Sequence, residues 1–141
     1  MQVLTDTGPL VAILSSTDQY HKVCLQTVQS LRGPLLTCWP VITEAAWLLR
    51  STPGAFERLL RGISDGAVEI LPVAGKEAAG VAEIMKKYGS LRPQFAYAVL
   101  VYLAARENIR TIFTLDRRDF SVYRAGRKGA LRIVPQQGTR V

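Results

Sequence analysis

The chain has 141 residues, 48% of them apolar, with 18 Lys/Arg against 11 Asp/Glu and a formal net charge of +7. That length fits one domain, residues 1–141, and that apolar share is enough to bury a core, which argues against an intrinsically disordered chain. The charge is lopsided: residues 1–85 carry 6 Lys/Arg and 8 Asp/Glu, while residues 86–141 carry 12 and 3. A basic C-terminal part of this kind favours a polyanionic partner such as nucleic acid.

Two cysteines, Cys24 and Cys38, form neither a metal motif nor a disulfide framework and read as buried, reduced thiols of a cytoplasmic protein. The longest apolar run, Ala96 to Ala105, is too short to span a bilayer, so no membrane association is expected. The N-terminus lacks the basic region of a signal peptide and carries Asp6 inside its first apolar stretch.

In chain order, Val3-Leu4 is the first strand. Leu10–Leu14 is a short helix that Thr7 or Gly8 can cap, with Pro9 at a first helical position. Ser16-Thr17-Asp18 caps a second helix running to about Leu31, which Gly33-Pro34 ends. Leu35–Cys38 is a second strand. Pro40 then starts a helix through Leu49, with Val41, Ala45, Leu48 and Leu49 on one stripe. Phe56–Ile63 is helical and Val68–Leu71 strand-like. Lys76–Tyr88 forms an amphipathic helix offering Ala79, Val81 and Ile84 for burial. A loop over Gly89–Pro93 leads to a helix, Gln94–Glu107, that is apolar nearly all round and therefore central. Thr111–Leu115 is a β-branched and aromatic strand, a basic loop follows, and Leu131–Val134 is the last strand. Strands alternating with helices predict an α/β fold, an α/β/α sandwich on a mostly parallel sheet of about five strands.

In open α/β sheets, ligands bind beyond the carboxyl ends of the strands. Asp6 follows the first strand, Asp116 follows the Thr111–Leu115 strand, Glu44 lies in the first turns of the helix after the second strand, and Asp119 is three residues past Asp116. If those strands are neighbours, the acids converge. Converging carboxylates repel one another unless a cation neutralises them, and all-oxygen ligands suit Mg²⁺ or Mn²⁺. The chemistry implied is metal-assisted phosphodiester hydrolysis. The structural alternative is that each acid caps a helix or closes a turn. His21 has no Ser, Cys or His partner at a usable spacing and reads as structural. Neither a phosphate-binding GxxxxGK[ST] loop nor a GxGxxG fingerprint is present.

Three segments resemble the PIN-domain family, and in particular VapC-type toxins of toxin–antitoxin pairs. They are Leu4-Thr5-Asp6-Thr7-Gly8-Pro9-Leu10-Val11-Ala12, Val41-Ile42-Thr43-Glu44-Ala45 and Thr111-Ile112-Phe113-Thr114-Leu115-Asp116-Arg117-Arg118-Asp119-Phe120. The resemblance implies a Mg²⁺- or Mn²⁺-dependent endoribonuclease, a small antitoxin partner and a homodimer. By the family pattern Asp6, Glu44 and Asp116 match metal-site acids, Asp119 an auxiliary acid, and Thr7 and Thr114 positions that organise the site. Arg117 and Arg118, with Arg92, Arg124, Arg127 and Lys128, are available to neutralise RNA phosphates.

The third acidic motif is degenerate. Where the family pattern carries Asp-x-x-Asp-Ala, this chain has Gln94-Phe95-Ala96-Tyr97-Ala98, so Gln94 and Tyr97 stand where acids are expected. Gln94 offers a neutral carbonyl oxygen, and a tyrosine of ordinary pKa near 10 is a poor Mg²⁺ ligand at neutral pH. The remaining acids can hold a metal more weakly; the fold can persist as a non-catalytic module that binds RNA or a protein partner; or a shifted alignment can bring in Glu107.

Overall fold

The structure, a computed structural model, describes residues 2–89, 94–121 and 129–136. Its core is a five-stranded sheet in the order β3-β2-β1-β4-β5, formed by β1 (Val3–Thr5), β2 (Leu35–Thr37), β3 (Val68–Ile70), β4 (Thr111–Phe113) and β5 (Arg132–Val134). All four pairings are parallel. Leu4 aligns with Leu36 on one side and with Ile112 on the other. Strands β1, β2 and β4 are buried along their whole length, the pattern of a parallel sheet covered on both faces.

Between the strands run α1 (Thr7–Leu14), α2 (His21–Ser30), α3 (Trp39–Leu48), α4 (Ala55–Ser64), α5 (Ala78–Lys87) and α6 (Phe95–Glu107), and the short α7 (Arg117–Phe120) follows β4. Helix α1 packs against α2, α3 and α4, while α5 packs against α6. The helices between β1 and β3 thus gather about α1, and those leading to β4 form a second pair that α3 also touches, the α/β/α arrangement expected. Helix α6 is the most buried, with Ala98, Leu100, Val101, Leu103 and Ala104 fully enclosed. Asn108, in the left-handed conformation at φ 56°, ends it and turns the chain into β4. His21 Nδ1 donates to the Ala12 carbonyl at 2.7 Å and ties α2 to α1, a structural role.

Several local expectations shift. Helix α1 begins at Thr7, because Asp6 rather than Thr7 or Gly8 is its cap. Asp18 does not cap α2; its Oδ1 accepts the Tyr20 N–H at 2.8 Å, a local turn that delays the helix to His21. On α3 the buried stripe is Val41, Ile42, Ala45 and Leu49, with Leu48 half exposed at 48%. On α5 Val81 is buried and Ile84 partly so, whereas Ala79 faces solvent. The basic stretch after β4 opens with α7. Most of the Gly89–Pro93 loop, Arg92, Arg124, Arg127 and Lys128 lie outside the described residues. Among the described residues no helix is long and apolar enough to cross a membrane.

Candidate active site

After β1 the chain moves towards β2 and β3, and only later returns to lay β4 on the other side of β1. The β1–β4 junction is therefore the topological switch point of the sheet, where a crevice opens beyond the strand ends. Asp6 and Asp116 flank it. The Asp6 N–H donates to the Phe113 carbonyl at 2.9 Å, extending the β1–β4 ladder by one residue and bringing Asp6 against the end of β4.

Asp6 is buried, 3% exposed. Its Oδ1 accepts the Thr7 N–H at 2.8 Å, and its Oδ2 accepts the Thr114 hydroxyl at 2.8 Å. Thr114 Oγ1 in turn accepts the Asp116 N–H at 3.0 Å. One fully buried hydroxyl thus links the two acids, which is why a Thr sits at the end of β4. Burial pushes the Asp6 carboxyl up to about 7, and Glu44 and Asp116 push it the same way, against the opposing hydrogen bonds from Thr7 and Thr114. Asp6 is at once a helix cap and a member of a charged site, so the two readings of this acid are not exclusive.

Asp6, Thr7, Glu44, Tyr97, Asp116 and Arg118 line one cleft of about 610 Å³. Glu44, half-buried on α3, has its carboxyl raised by burial, partly offset by Thr7. Thr7 Oγ1 is buried and lies close enough to Glu44 to favour its charged form without closing a hydrogen bond of ordinary geometry. Tyr97 reaches from α6 to the end of β4, where its hydroxyl donates to Asp116 Oδ2 at 2.8 Å and its ring packs on Phe120 at 5.0 Å between centroids. Burial, followed by the charges of Asp6 and Asp116, drives Tyr97 ionisation well above its ordinary range, so its phenol stays a donor.

Other expected residues sit elsewhere. Thr114 lies behind Asp6 rather than on the cleft wall. Arg117 turns away and donates from Nη1 to the Pro135 carbonyl at 2.8 Å. Gln94 is the exposed N-cap residue of α6 and lines a neighbouring depression that shares Glu44 with the cleft. The Asp119 side chain lies outside the described residues. Glu107, at the far end of α6, pairs with Arg106 at 2.8 Å. Both thiols, Cys24 and Cys38, are buried and pushed up to about 12, chiefly by burial, and so are not nucleophiles. Sequence reasoning missed Asp18, which lines the cleft with the other acids. No signal marked it, since Ser-Thr-Asp ahead of an apolar stretch has the pattern of a cap.

The donor set offered by the acids and hydroxyl on the cleft wall is all oxygen: the carboxylates of Asp6, Asp18, Glu44 and Asp116, and the Thr7 hydroxyl. A buried carboxyl raised by its acidic neighbours is one that a hard cation relieves, so the chemistry fits a divalent ion. Among the described residues no three His, Cys, Asp or Glu side chains are already drawn together at metal-holding distance. The acids surround a space; they do not form a finished cage.

Residues 3–126 match the PIN domain family profile. Over 135 residues, 94% of this chain and the whole of the relative, the sequence is 31% identical to Ribonuclease VapC26 of Mycobacterium tuberculosis. The fold also matches the crystal structure of Mycobacterium tuberculosis VapC20, a sarcin–ricin loop cleaving toxin, with a TM-score of 0.72 over 79% of this chain and 87% of that one. At 17% identity, that second likeness is one of fold. The chain belongs to the PIN-domain family. Within it, the full-length relationship places the chain with the VapC-type proteins.

Proposed function

We propose that the chain is a divalent-metal-dependent endoribonuclease of the VapC type, acting on RNA phosphodiesters. The observation that carries this reading is the convergence of Asp6, Glu44 and Asp116, from β1, α3 and the end of β4, on one cleft at the switch point of the sheet. The full-length similarity to a ribonuclease agrees with it. Asp6, Glu44 and Asp116 would hold a Mg²⁺ or Mn²⁺ ion. Such an ion supplies positive charge that polarises a phosphodiester and stabilises charge developing on it.

The remaining work falls to the chain. Asp6, held through both oxygens, is a fixed negative anchor. Glu44, less buried and with a raised carboxyl, is suited to accept a proton from an attacking water. Thr7 offers a hydroxyl to the cleft, and Asp119, three residues on from Asp116 in the chain, is the auxiliary acid of this reading. Arg118 lines the cleft and is placed to neutralise an RNA phosphate. Arg117, bonded to Pro135, supports the strand end behind it. A small antitoxin and a second copy of the chain are the protein partners of this reading; Trp47 and Leu48 on α3, 64% and 48% exposed, offer apolar surface to either.

The test is cleavage of structured RNA with Mn²⁺, with chelator in its place, and by Asp6→Asn. Metal-dependent cleavage reduced more than about 100-fold by Asp6→Asn is expected, beyond what loss of an outer partner of a ligand costs. Two observations favour a second reading, a module that binds RNA or antitoxin without cutting: a phenol stands at position 97, and no three acids among the described residues are pre-gathered. Intact RNA with salt-sensitive, metal-independent binding would establish that reading instead.

A further inference from the structure

We propose that Tyr97 is a positioning residue for Asp116: its phenol locks the rotation of the carboxylate that faces the cleft. The inference rests on reading Asp6, Glu44 and Asp116 as the holders of a divalent ion. A side chain that merely filled the space left by a missing acid would need only a ring, and the ring of Tyr97 is already engaged with Phe120, tilted at 57°. The hydroxyl does something more, donating to Asp116 Oδ2 at 2.8 Å.

The terminal torsion of an aspartate is broad and roughly two-fold, so the backbone alone does not decide how its carboxylate presents itself. Two contacts among the described residues restrain Asp116 in ways that bear on the cleft. Its backbone N–H is held by Thr114 Oγ1, the same atom that holds Asp6. Its Oδ2 is held by Tyr97. The first contact sets where the residue stands relative to Asp6, and the second sets the plane of its carboxylate. Hydrogen bonds of the second kind orient metal ligands, and their loss typically lowers metal affinity about 10- to 100-fold. A carboxylate at position 97 would act on an ion directly, by charge; the phenol acts through Asp116. On this account the degenerate motif is a replacement of one device by another.

The experiment uses the full chain and Mn²⁺ alone, without RNA. Mn²⁺ affinity is measured by titration calorimetry, the lineshape of the bound ion by electron paramagnetic resonance, and the melting temperature in chelator as a check on the fold. Tyr97→Phe keeps the ring and removes only the hydroxyl. It is expected to weaken Mn²⁺ about tenfold and alter the lineshape while the chain stays folded in chelator at the titration temperature. Equal affinity or an unchanged lineshape overturns the proposal. So does an affinity loss that comes with unfolding in chelator at the titration temperature, because that is what a merely structural phenol would give. A wild-type chain that binds no Mn²⁺, or binds it equally well as Asp6→Asn, overturns the cation-site reading and this inference with it. Site-specific binding that Tyr97→Phe leaves intact overturns the positioning role alone.

Discussion

At the β1–β4 side of the cleft a carboxylate is buried almost completely, and Thr7 N–H and the Thr114 hydroxyl converge to hold it. At the α6 side stands a phenol, Tyr97, which donates a hydrogen bond to Asp116 instead of bringing a charge. The first corner gathers negative charge at the expense of stability, as the raised Asp6 carboxyl records. The second limits how much negative charge the cleft holds. Together they describe a site whose charge can be tolerated without an ion, yet whose ligands are partly oriented for one.

The largest effect that would sharpen this contrast is on stability against pH. Asp6 has an ordinary carboxyl value of 3.8 when unfolded and about 7 when folded. Between those values the folded chain keeps a proton that the unfolded chain has released. The contribution of Asp6 to stability is therefore fullest below about pH 4, falls as pH rises to about 7, and then levels, the total being at most about 4 kcal/mol. Glu44, also raised, adds to the same trend. Melting temperatures in chelator should decline over that window, and saturating Mn²⁺ should flatten the decline. A flat or rising profile in chelator would remove the premise that the Asp6 corner stores unfavourable charge.

Next in size is Thr114→Val. It strips the donor from Asp6 Oδ2 and the acceptor from the Asp116 N–H, both inside the buried corner. A loss of about 2–3 kcal/mol in denaturant unfolding at neutral pH is expected, the scale of a hydrogen bond to a charged group. A loss below half a kcal/mol would mean the link between the two acids is incidental.

Tyr97→Asp converts the second corner into the first kind. Adding a carboxylate beside Asp116 should tighten Mn²⁺ binding about tenfold, roughly 1.4 kcal/mol, and lower the melting temperature in chelator. Unchanged affinity would show that an acid at position 97 does no more for the ion than the phenol does, and the contrast between the corners would dissolve. The smallest effect separates two neighbouring arginines. Arg118→Ala should weaken RNA binding a few-fold and reduce its salt dependence by about one unit of log–log slope, measured by filter binding between about 50 and 200 mM salt. Arg117→Ala, whose guanidinium is committed to Pro135, should leave that slope as it is.

Much of this was legible from the chain, because strands and helices announce themselves through period and punctuation. Val3-Leu4, Leu35–Thr37 and Thr111–Phe113 are short apolar runs that only a covered parallel sheet can use, and the helical stretches between them supply the cover. Acids standing just past those runs were bound to lie at strand ends. Where expectations slipped, the cause was local competition or packing. Asp18 spends its side chain on a turn, and Leu48 is left 48% exposed on the cleft wall.

The sequence by itself determined the α/β alternation and the family, and it singled out Asp6, Glu44 and Asp116 as acids beyond the strand ends. Each of these is written in residue type and order. Only the tertiary structure decided which strands are neighbours, and so that Asp6 and Asp116 share one crevice while Gln94 opens onto the next. It alone turned Arg117 away and Arg118 inward, and brought Asp18 to the same wall. It also gave Tyr97 its role, since a hydrogen bond between residues nineteen positions apart depends on how α6 docks beside β4 and not on any local pattern.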